Sequence, residues 1–117
     1  MGGSRPSPRV TEQSDLILIH GNGVSTPGEI TRLIEDTRSL PAYRGQPIVI
    51  NEDDHLDFDK PVNHMLAAFR AGANWGYFDY RLQGETGFTQ GYQSMPCDWR
   101  ISSPRKQGFF QALKRIE

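Results

Sequence analysis

Pro47-Ile48-Val49-Ile50-Asn51-Glu52-Asp53-Asp54-His55-Leu56-Asp57-Phe58-Asp59 changes character in its middle. It opens as a short apolar run rich in β-branched residues, the signature of a buried parallel strand. Glu52, Asp53, Asp54 and His55 then follow in a row. Burying unpaired charge is too costly for the strand to continue through them. The strand therefore ends here, and its carboxyl end emerges into polar surroundings. In parallel α/β folds that end is where ligands bind and chemistry sits.

Two further stretches repeat this design. Asp15-Leu16-Ile17-Leu18-Ile19 ends in His20-Gly21-Asn22-Gly23, and Asn74-Trp75-Gly76-Tyr77-Phe78 runs into Asp79, Tyr80 and Arg81. These stretches predict strands near 15–20, 47–52 and 74–80. Helical signals separate them. Thr26 is placed to cap a helix, with Pro27 in its first position and Glu29 completing a capping box. Ile30, Leu33, Ile34 and Thr37 form one face, and the helix stops before Pro41, with Gly45 in the turn. Asp57 or Asp59 is expected to cap a second helix, with Pro61 in its first turn and Val62, Met65, Leu66 and Phe69 on its face. Residues 82–102 read as a long ordered loop carrying Phe88, Tyr92 and Trp99. Ser103-Pro104 opens a last helix with Phe109, Phe110, Leu113 and Ile116 inward.

The expected fold class is α/β, with three consecutive parallel strand–helix units. Right-handed crossovers between strands in sequence order put all the helices on one face. The other face would then be bare although the strands are apolar on both sides, a poor arrangement for a soluble monomer. The missing cover is what the rest of a barrel provides, so the pattern predicts a partial (β/α) barrel that self-associates through its exposed sheet face. A rearranged strand order with helices on both faces is the alternative.

Composition sets outer bounds. With 117 residues the chain is one domain, and its 13 basic and 14 acidic residues leave a net charge of −1. That balance gives no drive toward nucleic acid or an anionic membrane. No apolar run is long enough to span a bilayer. The first residues are basic without an apolar stretch behind them, unlike a secretory signal. Residues 1–14, rich in Gly, Ser, Pro and Arg, are expected to form a disordered arm before a domain spanning 15–117. Cys97 is the single cysteine, so no intrachain disulfide forms.

The chemistry-bearing residues gather at the three strand ends: His20 and Asn22; Asn51, Glu52, Asp53, Asp54 and His55; Asp79, Tyr80 and Arg81. Glu52 is the leading catalytic carboxylate, and its competing role is helix capping or pairing with Arg81. Asp53 and Asp54 read as turn and capping residues; His20 and His55 are candidate ligands or proton carriers, although a lone histidine more often makes a structural hydrogen bond. Asp79 and Arg81 are placed to orient Glu52 or bind substrate. Trp75, Tyr77, Tyr80 and Trp99 are of the type that stacks on a sugar ring, although Trp75 and Tyr77 read more readily as core. His20, Asp53, Asp54 and His55 supply ligand types for a divalent ion. No recognised metal-binding spacing or phosphate loop accompanies them. No cofactor is implied.

The segments LILIHGNG (16–23), PIVINEDDH (47–55), NWGYFDYR (74–81) and WRISSPRKQGFF (99–110) resemble the C-terminal part of glycoside-hydrolase-like (β/α)8-barrel proteins, mostly uncharacterised bacterial ones. The resemblance covers roughly residues 15–116 and implies that the strands are barrel strands six, seven and eight. It implies hydrolysis of O-glycosidic bonds in an intact relative, with Glu52 in the strand-seven place of the nucleophile. Asp79 is the candidate for the second carboxyl. His20, Asn22, Asn51, His55, Tyr80, Arg81, Tyr92 and Trp99 are the candidates for sugar binding. The Asn51-Glu52 dipeptide is one that such enzymes carry on strand four, so it departs from the pattern. Because strands one to five have no counterpart here, the resemblance also implies a truncated gene product, inactive alone. A metal-dependent hydrolase and a non-enzymatic fragment completed by a partner are the rival readings.

Overall fold

The structure, a computed structural model, describes residues 4–78, 101 and 103–116. Its elements are α1 (Pro8–Gln13), β1 (Ile17–His20), α2 (Pro27–Arg38), β2 (Ile48–Glu52), α3 (His64–Arg70), β3 (Asn74–Trp75) and α4 (Pro104–Leu113). The three strands form one parallel sheet in the order β1-β2-β3. Sequence order is therefore kept, and the rearranged order is excluded.

Alternation along the strands sends Ile17, Ile19, Ile48, Ile50 and Trp75 to one face. There they share a single apolar cluster with Ile30 and Ile34 of α2 and with Met65, Ala67 and Ala68 of α3. The connecting helices thus cover the same face. Leu18 points the other way, and Leu16 and Leu18 are 46% and 53% exposed.

α2 follows its sequence signals closely. Thr26 accepts from the Glu29 N–H, and Glu29 reaches back to the Thr26 N–H, so the capping box is complete. Ile30, Ile34 and Thr37 are buried, and Leu33 packs beside them. At its far end Arg38 donates to the backbone oxygens of Ala71 and Gly72 and ties α2 to the end of α3.

Four expectations change. α3 starts later than Asp57 or Asp59 implies. Its cap is Asn63, which accepts from the Leu66 N–H at 2.9 Å. Its buried face is His64, Met65, Ala67 and Ala68, while Val62 is exposed. The aspartates lost to a better-placed asparagine, because capping needs the accepting oxygen three residues before the donating N–H. β3 is paired only at Asn74–Trp75; Gly76 donates one further bond to Ile50, and residues 79 and 80 lie outside the described residues. In α4, Ser103 caps as expected, but Phe110 and Ile116 are exposed and Ala112 takes the buried place. Finally, part of the expected disordered arm is ordered. Ser7 caps α1, Thr11 is buried, and Gln46 and Arg44 donate to backbone oxygens of residues 11–14. Ser4 bridges to His20 on the free edge of β1.

Candidate functional site

The site is built where β1 and β2 end. The register runs Ile19 to Ile50 and then His20 to Glu52, so Asn51 is an extra residue in β2. This bulge brings Glu52 rather than Asn51 opposite His20, a common device for aiming a side chain. Gly21 then donates to the Glu52 carbonyl at 2.7 Å and closes the β1 turn against β2.

Glu52 accepts from Asn22 Nδ2 at 3.1 Å, and His20 Nδ1 lies 3.6 Å from the same oxygen. About a third of the Glu52 side chain is open to solvent, 34%. Its carboxyl caps no helix. The amide oxygens of Asn22 and Asn51 are buried with no hydrogen-bond partner among the described residues. The structure brings His20, Asn22, Asn51 and Glu52 together at this edge.

Asp53 turns inward and is 1% exposed. It accepts from the His55 N–H at 3.0 Å, from Trp75 Nε1 at 3.0 Å, and from His64 Nδ1 at 2.9 Å. Three donors to its two oxygens satisfy a buried carboxylate, which is the condition for burying one at all. Gly21 makes room for it: a Cβ there would stand 2.9 Å from Asp53 Cγ and Oδ2. Asp54 faces back toward β1 and accepts from the Gly23 N–H through both oxygens, at 3.1 and 3.0 Å. The positive φ of Gly23 suits the glycine to that turn. His55 Nδ1 is 2.8 Å from Asp54 Oδ1. Partial burial works against ionisation of Asp54. The Gly23 N–H and the His55 ring outweigh it and hold the carboxyl below the usual aspartate range.

The ring of His55 stacks on that of His64, with centroids 4.4 Å apart. Asp53, His55 and His64 each offer one ligand atom within 4.8 Å of the others, the donor types that hold a transition metal. The metal set read from the sequence was different. His20 stands with Glu52, and His64 takes its place beside Asp53 and His55.

His64 and the Trp75 N–H are the residues that sequence reasoning missed. A histidine among the buried residues of a helix's first turn needs a partner. The acid after the neighbouring strand was the available one. Trp75 sits in the core at 6% exposure, and Tyr77 packs against it and against Phe109, so neither is an open platform. Asp79, Tyr80, Arg81, Tyr92 and Trp99 lie outside the described residues.

No family model matches the chain, and neither a curated protein nor a solved structure matches it. Among the described residues no helix is long and apolar enough to cross a membrane.

Proposed function

We propose that the chain is three consecutive units of a glycoside-hydrolase-like (β/α)8 barrel, equivalent to strands six to eight. The end of the sheet at Glu52 is its sugar-handling rim. The observation that carries this reading is the setting of Glu52. It is about one-third open, held by Asn22 beside His20, and flanked by two amide oxygens without partners among the described residues. A sugar offers hydroxyl donors in several directions, and unpaired amide and carboxylate oxygens are the acceptors that recognise them.

The sheet supports the same reading. Parallel strands in sequence order, helices on one face and Leu16 and Leu18 bare on the other suit a barrel wall. Closure takes five further units, from the same chain or from a partner. In a closed barrel Glu52 acts as nucleophile or charge stabiliser, and a second carboxyl about 5 Å away gives a retaining enzyme. Asp79 remains our candidate for that partner, and Tyr80, Arg81, Tyr92 and Trp99 for sugar contacts. Without closure the chain is inactive, and its bare face drives self-association.

The test is Glu52→Gln in a reconstituted barrel. Glycosidase activity falls by several orders of magnitude while the melting temperature barely moves. Full activity in the variant overturns the assignment.

A further inference from the structure

We propose that the cavity between α3 and the end of α4 binds a small aromatic carboxylate, with Arg70 and Arg115 taking the carboxylate and Phe58, Leu66 and Ala112 the ring. None of these residues belongs to the edge at Glu52, and the proposal does not depend on the sugar reading.

The cavity holds about 230 Å3. Asn63, Leu66 and Arg70 all line it and fall at i, i+3 and i+7, so one face of α3 makes one wall. Ala112 and Arg115, three residues apart, bring the end of α4 to the other side. Phe58 is the floor. It is 6% exposed, and its ring stands edge-on to Trp75 and Phe109, with centroids 5.8 and 5.4 Å away. The floor is therefore formed before any ligand arrives, as in most small-molecule sites.

The charge around this floor is of one sign. Lys60, Arg70 and Arg115 line the cavity, and no carboxylate does. The chain as a whole has a net charge of −1, so a general excess of base does not account for this. Lys60 is already paired with Asp57 at 3.1 Å. Arg70 and Arg115 are exposed, and among the described residues neither guanidinium has a carboxylate partner. Arg70 closes the last turn of α3, where a cation complements the helix dipole. That role explains neither a second arginine on the same cavity nor the apolar floor between them.

The combination selects the ligand. An apolar molecule leaves both guanidiniums unused, and an inorganic anion leaves Phe58 uncovered. A carboxylate carried on a ring satisfies both halves. The guanidinium fork matches the two carboxylate oxygens, and the ring packs on Phe58 and Leu66. Drug-sized sites hold about 300–1,000 Å3, so this smaller cavity limits the apolar body to roughly one ring.

The experiment is an amide 15N NMR titration of the chain with phenylacetate, with its neutral counterpart phenylacetamide, and with inorganic phosphate. The expected result is a saturable response to phenylacetate at residues 58–66 and 112–115, with the other two probes binding at least about 5-fold more weakly. Arg70→Gln and Arg115→Gln each weaken phenylacetate by about 5-fold. Both side chains are exposed, so circular dichroism should show the fold retained. Lys114→Gln, which removes an exposed neighbouring cation that does not line the cavity, binds as the parent does. A titration without saturation, equal binding of phenylacetamide, or unchanged affinity in both arginine variants overturns the proposal. So does phosphate binding as tightly as phenylacetate, which marks the place as a site for an adventitious ion only.

Discussion

His64 Nδ1 and Asp53 Oδ2 meet at 2.9 Å, and the pair joins the residue after β2 to the first residue of α3. Both side chains are buried, so neither has water to fall back on. Removing one partner leaves the other unsatisfied, a loss of about 3–5 kcal/mol for a buried pair. Asp53→Ala is expected to lose that much in urea denaturation. A loss no larger than a surface substitution gives, about 0.5 kcal/mol, contradicts a structural role for the pair.

Two glycines separate on the space around them. A Cβ on Gly21 collides with Asp53 and comes within 3.1 Å of Ile30 Cδ1, whereas Gly28 in α2 has nothing within 4 Å. Gly21→Ala should destabilise by about 1–3 kcal/mol, as overpacking does. Gly28→Ala should instead stabilise by about 0.4–1 kcal/mol by restricting the unfolded chain. Thermal melts of the two variants check the opposite signs.

Arg38 is the link between α2 and the end of α3 through two backbone oxygens. Hydrogen bonds from a charged donor contribute about 1.5–3 kcal/mol. Arg38→Met keeps much of the aliphatic stem and removes the donors. It should lower stability by an amount in that range and speed amide exchange around Gly72. Unchanged exchange there shows that the link contributes little.

Glu29 gives the pH dependence. The Thr26 hydroxyl, opposed by desolvation and helped by the Thr26 and Ser25 N–H groups, holds its carboxyl below the ordinary value of 4.5. A carboxyl lowered in the folded state adds stability that is complete above its unfolded value and disappears as pH falls through its folded one. The parent should therefore be more stable than Glu29→Gln at neutral pH, and the gap should close on acidification below 4.5. A gap that persists in acid assigns the difference to packing.

Much of this architecture was legible because it is local. The Thr26 box, the Ile30–Ile34 face and the abrupt change from apolar to polar residues after Ile50 each declare themselves within a few residues. So did the grouping of His20, Asn22 and Glu52, since parallel strands deliver their ends to one edge. What escaped was non-local. Nothing near Asp53 in sequence says that it turns inward to His64 and Trp75, 11 and 22 residues away. Asn63 displaced the aspartates as cap because the loop after His55 runs on through Asp57–Lys60 before the helix begins. The order in residues 7–14 came from Arg44 and Gln46, which only the fold brings near. The bulge at Asn51, which sets the direction of Glu52, leaves no mark in the residue types.

The account rests on Glu52 standing at a sugar-binding rim. The most direct measurement is an amide 15N NMR titration of the chain with a panel of β-linked oligosaccharides, repeated on Glu52→Gln. The prediction is that at least one sugar moves the signals of His20, Gly21, Asn22 and Glu52 while α2 stays still, and that the variant binds it more weakly. No response from any sugar at these residues, or equal binding by the variant, contradicts the account.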